Sequence, residues 1–334
     1  MPQPTPNQLH VERFLTNLAV AWAQKQENFI ADKVFPLVPV LKESDLIPIY
    51  KKGFFYRDEL KVRPLGGRPA QIGYEIEHGR YHANEWSAEH KIDDRVRANA
   101  DVPLDPDRAA MRQLTQQALI RRDVIWTTKF FTTGVWGTDW TGVEKSTEAK
   151  AEEHKFLMFD QAGSEPITFF DERKIDIAGK TGYTPNILVL GADAYRTIKN
   201  HSAVLDRIKY TQRGLVTRDL LAELFDLEQV LVPFSVVNTA QEGATDSINF
   251  IVGRNDALLV YAAPAPSIEE PSAGYTFAYT GLIPGLTNAF GGVIEKGREE
   301  LAHSDVIQIR AAYDVQQLAT DLGQFFDGLV APVS

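Results

Sequence analysis

From Arg108 to Phe131 the chain runs without a glycine or proline, and the residues just ahead of that run are helix starters. Asp105 suits the N-cap, Pro106 the first helical position, and Asp107 the positive end of the helix dipole. Met111, Leu114, Ala118 and Ile125 fall near one face, and Thr132-Thr133-Gly134 closes the run. At about 1.5 Å per residue, a helix over 106–131 is roughly 39 Å long. Its exposed side is basic, because Arg108, Arg112, Arg121, Arg122 and Lys129 outnumber Asp107 and Asp123. The sequence predicts one long, straight brace.

The chain ahead of the brace lacks a core of its own. Pro2, Pro4 and Pro6 forbid a helix at the start. Phe14, Leu15, Leu18, Ala19 and Trp22 recur at helical spacing and predict a helix within Val11–Gln26. Phe29, Ile30, Val34, Phe35, Leu37, Val38 and Val40 come next with Pro36 and Pro39 among them, which favours an extended, edge-like path. An extended apolar segment needs a groove, either on the rest of the chain or on a neighbour. Residues 46–100 read as a long two-stranded excursion. Leu46–Tyr50 and Gly53–Tyr56 read as strand, Gly73–His78 alternates with a two-residue period, and alternation resumes weakly over Tyr81–Trp86. Between them Arg63–Pro69 is rich in turn formers. Such a ribbon carries too little one-sided apolar surface to fold alone.

Behind the brace the pattern is that of a compact α/β unit. Trp126, Phe130, Phe131, Trp136 and Trp140 are most simply a core joining the helix to the C-terminal half of the chain. After a charged stretch from Glu144 to Lys155, Asn186–Leu190 reads as a buried strand ending at Gly191. Helices are predicted over 194–199 and 204–210, and Thr217 caps a third over 218–225. Short apolar strands are predicted over 230–232, 248–252, 257–261, 275–279, 288–294 and 306–311, with a loop over Pro264–Pro271. The last twenty residues or so read as a short helix and a frayed tail.

Composition excludes several classes. Hydrophobic residues make up 44% and charged residues 24% of the 334, which argues against wholesale disorder. The net charge is −10 and the pI about 5.3, a poor balance for a protein that coats nucleic acid. The charge is uneven: residues 1–131 hold 19 Lys and Arg against 17 Asp and Glu, whereas 132–334 hold 16 against 28. That asymmetry suits a front lying on the rear of other copies, or it reflects solubility charge alone. Without cysteine there are no disulfides, thiolate metal sites or cysteine nucleophiles. No apolar run approaches the roughly 18–20 residues of a membrane span, and the N-terminus lacks the features of a secretory signal. The expectation is a soluble, unsecreted protein.

Phosphate-loop, dinucleotide, serine-elbow and His-Glu-x-x-His spacings are all missing. His78 and His82 stand four apart, but they flank Gly79 in an alternating stretch where that spacing loses its helical meaning. Asp93-Asp94 reads as a solvated turn, and Asp105 with Asp107 as a helix start. No catalytic, cofactor-binding or metal-binding residue is expected.

The order of parts resembles the major capsid proteins of tailed bacteriophages, with their HK97-type fold. Asn28–Val40, Asp94–Ala100 followed by Asp105-Pro106-Asp107, Leu188–Tyr195 with His201, and Leu220–Phe225 before Val230–Val232 are similar to stretches of one phage capsid subfamily. In this order they cover nearly the whole chain. The resemblance implies an α+β fold built from an N-terminal arm (1–45), an extended E-loop (46–100) and a P-domain (101–180) with a spine helix over 106–131. An axial A-domain (181–295) and a C-terminal return to the P-domain (296–334) would complete it.

The resemblance also implies a structural, non-enzymatic head protein without cofactors. It would self-assemble as pentamers and hexamers into an icosahedral shell around phage double-stranded DNA. Its place would be the virion, after assembly in the host cytoplasm. Phe29, Val34 and Phe35 of the arm and Phe54, Phe55 and Tyr56 of the E-loop would contact neighbouring subunits. Arg108, Arg112, Arg121 and Arg122 would offer DNA a basic patch, with only weak, non-specific contact, since packaged DNA must slide and leave. Partners would include a portal, a cement protein and a separate scaffolding protein, because only about ten residues precede Val11. Lys51, Lys52 and Lys61 lie in the E-loop, but no matching Asn or Glu marks a cross-link. The alternative is an encapsulin-like compartment shell, which shares the fold and encloses an enzyme. A third reading, from another class, is an α/β enzyme using Asp and Glu residues without a recognisable motif.

Overall fold

The long helix forms over Pro106–Phe130, and the Asp105 carboxylate caps it by accepting the Arg108 N–H at 3.1 Å. The computed structural model describes residues 24–63, 65–100, 105–209, 216–267, 270–281 and 292–332. The helix lies on a five-stranded sheet. Leu37–Val40, Gly274–Tyr279, Ser304–Gln317 and Gly292–Glu299 stand side by side in that order, and Asn84–Asp93 also pairs along Ser304–Gln317. Ala110 and Leu114 pack on Ile92, Ile307 and Ile309, while Trp126 and Phe130 meet Phe35, Tyr313 and Val315. Leu37–Val40 takes the edge, parallel to Gly274–Tyr279, where Pro39 breaks no central ladder.

A second sheet runs Lys155–Leu157, Asp139–Val143, Gly323–Asp327, Ala257–Val260, Ile187–Leu190, Gln229–Leu231. Its central strands are apolar on both faces because both faces are covered. Leu188, Leu190, Ala257 and Leu259 turn towards a core beneath the helices Pro166–Thr181, Ala192–Lys199, Ser202–Ile208 and Arg218–Leu224. Ile187, Val189, Leu258 and Val260 turn the other way, into the core shared with the long helix. Each such side chain, fully buried, contributes about 1.5–3 kcal/mol. Thr217 Oγ1 accepts the Leu220 N–H at 3.2 Å, the cap the sequence predicts. Trp126, Trp136 and Trp140 are all core residues, though Trp140 joins the helix-covered side.

Several expectations are corrected. Gly53–Tyr56 is not a strand: Lys52–Phe55 makes one helical turn, a short apolar run being ambiguous between the two. The C-terminal residues are not a frayed tail. Gly323–Asp327 is a central strand, and Phe325, Phe326, Leu329 and Val330 are buried. Met111 is exposed, and the buried stripe of the long helix runs instead through Leu114, Leu119, Arg122, Asp123, Trp126 and Phe130. The ribbon is shorter than expected, since Asn84–Asp93 belongs to the five-stranded sheet. Helix Pro166–Thr181, which ends at Gly182 with φ +73°, is an addition to the elements expected. The helix predicted within Val11–Gln26 lies outside the described residues except for Gln24–Gln26, as does most of the strand predicted over 288–294.

Candidate functional site

The ribbon is poorly sheltered by the rest of the described chain. Ser44–Tyr50 and Ile76–His82 pair antiparallel, with Ser44 opposite His82 and Tyr50 opposite Ile76, as a separate two-stranded sheet. Gly79 lets the strands approach, since a Cβ there would meet Ile49 at 3.1 Å. Beyond the strands, Tyr50, Phe55 and Tyr74 form a small aromatic cluster with ring centroids 5.5–6.2 Å apart. All three remain half open to solvent or more. Leu60 and Val62 are 90% and 98% exposed, and Leu65 and Ile72 are also uncovered. Among the described residues, two polar contacts return the tip to its own chain. The Tyr56 hydroxyl donates to the Thr181 carbonyl, and Lys52 pairs with Asp321. Phe54 is half-buried, with the Arg57 guanidinium 4.9 Å from its ring centre.

The arm behaves differently. Phe29, Val34 and Phe35, expected at a neighbour, are 7%, 0% and 0% exposed within their own chain. Phe35 lies 4.9 Å from Phe130 and 6.2 Å from Trp126, centre to centre. The Gln24 side chain exchanges two bonds, at 2.7 and 2.8 Å, with the Val236 main chain. Thr276 donates its hydroxyl to the Phe35 carbonyl at 3.0 Å. Those three apolar residues are therefore sheltered within their own chain, and Val34 and Phe35 have no surface left to offer another copy.

The four arginines of the long helix also divide. Arg108 and Arg112 are exposed, and Arg121 is exposed with its guanidinium 4.4 Å from the Trp86 ring centre. Arg122 is 3% exposed, pairs with Asp32 of the arm and lies over Tyr313 at 5.1 Å. It is a structural residue and leaves the basic patch. Four and three residues before Trp126 stand Arg122 and Asp123, so helical spacing from that core tryptophan marks both as inward-facing.

No family model matches the chain. It is 30% identical over 328 residues to the major capsid protein of Burkholderia phage BcepMu, which spans 96% of each chain. The chain belongs to the phage major capsid proteins. A phage-related protein of Bordetella bronchiseptica RB50 superposes with a TM-score of 0.68 at 22% identity, covering 92% of this chain and 94% of the other. The capsid of cyanophage P-SCSP1u gives 0.56 at 10% identity, over 96% and 93%. These likenesses speak for the fold, the mixed α+β HK97 type.

Other polar groups of this capsid protein hold the fold. Asp93 caps the short helix Asp94–Ala98 by accepting the Arg95 N–H at 2.8 Å, so the expected solvated turn is a built corner. There Arg97 pairs with Asp107 and Asp305 at 2.9 and 2.8 Å, Lys296 with the same two at 3.3 and 3.2 Å, and Arg298 with Asp94 and Asp305 at 2.6 and 3.0 Å. Hydrogen bonds from Arg298 and Lys296 pull the Asp305 carboxyl down to about 2. Ser164 and His201 stand 3.1 Å apart, a pair sequence spacing could not reveal. His201 Nδ1 accepts the Ala203 N–H at 3.2 Å, which places the neutral ring's hydrogen on Nε2, facing Ser164. The serine hydroxyl donates to the Gln161 carbonyl at 2.7 Å. An imidazole with no lone pair towards the hydroxyl cannot take its proton. Among the described residues no three His, Asp or Glu gather as a metal-ligand set, and no helix is long and apolar enough to cross a membrane.

Proposed function

We propose that copies of this chain assemble as pentamers and hexamers into an icosahedral phage head around double-stranded DNA, with each ribbon tip docking on an adjacent copy. The observation that carries this reading is the ribbon itself. Its two strands pair only with each other among the described residues, and its tip leaves Phe55, Tyr56, Leu60, Val62 and Tyr74 uncovered. A patch of that kind is an interaction site or an aggregation liability, and a shell subunit meets it with a sister molecule.

In this reading residues 1–45 are the arm, 46–100 the E-loop, 101–180 the P-domain, 181–295 the axial A-domain and 296–334 the return to the P-domain. Phe54, Phe55 and Tyr56 belong to the inter-subunit contact. Arg108, Arg112 and Arg121 touch DNA weakly, since the acidic subunit as a whole repels phosphate. A separate scaffolding protein, a portal and a cement protein complete the particle, assembled in the host cytoplasm. The role is structural and not catalytic. Membership of the phage capsid proteins favours a genome over the enzyme cargo of an encapsulin-like shell.

Electron microscopy of the purified full-length protein, with and without scaffold, tests the reading. Closed shells are expected from the native chain and none from a Phe55→Asp, Leu65→Asp double variant with an unchanged circular dichroism spectrum. Monomers of the native chain across salt, pH and scaffold conditions overturn it. Shells that form without scaffold and carry a co-purified enzyme decide for the compartment.

A further inference from the structure

The arm is fastened at one unusual point. Asp123, in the buried stripe of the long helix, is 1% exposed. Its Oδ1 accepts the Ala31 N–H at 3.0 Å, and both oxygens stand 3.3 Å from the Ile30 nitrogen. Its Oδ2 accepts the Ser235 hydroxyl at 3.2 Å. The carboxylate therefore closes the first turn of Ala31–Val34 and ties it to the segment after Gln229–Leu231. Every group holding it is a neutral donor.

The charges around it do not compensate. Asp32, on the arm, adds a like charge, while Arg122 on the same helix spends its guanidinium on Asp32 and the Tyr313 ring. Among the described residues no Lys, Arg or His forms an ion pair with Asp123. A carboxylate out of water, with no cation paired to it and held only by neutral donors, is more costly ionised than neutral.

We propose that docking of the arm takes up a proton at Asp123, so that the arm is held more firmly in acid than at neutral pH. The neutral acid fits the same site: one oxygen still accepts the arm's N–H groups, and the new O–H donates to Ser235 Oγ, which has lone pairs free to accept. Burial pushes the carboxyl up to about 6 when the arm is docked. With the arm released, Asp123 meets water and returns towards its ordinary value. Linkage sets the sign. The docked state binds the proton more tightly, so its advantage is complete below the ordinary aspartate range and falls as pH rises through about 6. The arm is thus a proton-coupled element, independent of whether the ribbon makes the subunit contacts.

Hydrogen exchange of the unassembled full-length chain, corrected for intrinsic rates, tests this at Phe35–Val40 against the core strand Ala257–Val260. From about pH 4.5 to about pH 7.5 the arm's opening constant is expected to rise by about twenty- to thirtyfold, while the core strand does not follow it. Asp123→Asn should flatten the arm's pH dependence, and Ser235→Ala should move its midpoint upward. A flat native profile, a profile that falls as pH rises, or an equal slope in Asp123→Asn overturns the proposal. Should Asp123→Asn fail to fold, the native midpoint and its shift in Ser235→Ala decide alone.

Discussion

The arm and the ribbon begin from the same kind of sequence and end in opposite places. Both carry apolar residues punctuated by proline, and neither holds enough one-sided apolar surface for a core of its own. The arm's last residues form an edge strand beside Gly274–Tyr279, and its turn is closed by Asp123, so Val34 and Phe35 reach full burial. Among the described residues the ribbon's strands find no third strand; their base buries Ile47 and Tyr81 with Val38, Val40 and Phe277, while the tip keeps Leu60 and Val62 in water. The difference lies in backbone partners rather than hydrophobicity. A segment whose N–H and C=O groups are met by a neighbouring strand can bring its side chains inside with them.

The comparison can be broken where the arm is deepest. Phe35→Ala is expected to cost about 3–5 kcal/mol of subunit stability in urea melts, because the ring fills a site walled by Trp126, Phe130 and Trp136. A loss below about 1 kcal/mol would mean that the arm is only loosely seated. Gly274→Ala attacks the same seat from the other side. Its methyl would lie 2.4 Å from the Phe35 ring and 2.7 Å from the Gln316 carbonyl, an overpacking expected to cost about 1–3 kcal/mol. Thermal melts, with exchange at Leu37–Val40, would separate a loosened arm from a loosened sheet. Tyr56→Phe acts on the ribbon, removing its hydrogen bond to the Thr181 carbonyl. About 1 kcal/mol of local tethering is expected to go, read as faster proteolysis at the tip with an unchanged melting temperature.

Much of the fold is legible in the sequence because local rules govern it. Asp105, Pro106 and the Gly- and Pro-free run place the long helix to within a residue, and Pro36 with Pro39 place the arm at an edge. Which chain the arm's apolar residues meet is not legible, because a hydrophobic pattern states the need for a partner and not its identity. Charge alone sorts Arg122 with the surface cations, although its spacing from Trp126 puts it inside beside Asp32. Gly323–Asp327 escapes a sequence reading for another reason: a five-residue strand near a chain end has almost no periodicity, and its burial depends on Asp139–Val143 and Ala257–Val260.

The smallest effect on folding is expected at the tip residues proposed to dock on a neighbouring copy. Leu65 is fully exposed at the ribbon tip, so Leu65→Asp removes no buried surface and leaves no polar group stranded. Its effect on subunit stability should stay within about 0.5 kcal/mol, against the several kcal/mol of Phe35→Ala. Burying the new carboxylate at a subunit contact would cost far more, since it would be desolvated without a partner. Normal melting with failed shell formation would place the ribbon's shelter on a second copy. Normal melting with normal shells would move the contact off Leu65 and leave the rest of the tip to be tested. A large loss of subunit stability would reverse the comparison, because the ribbon would then be held, like the arm, by its own chain.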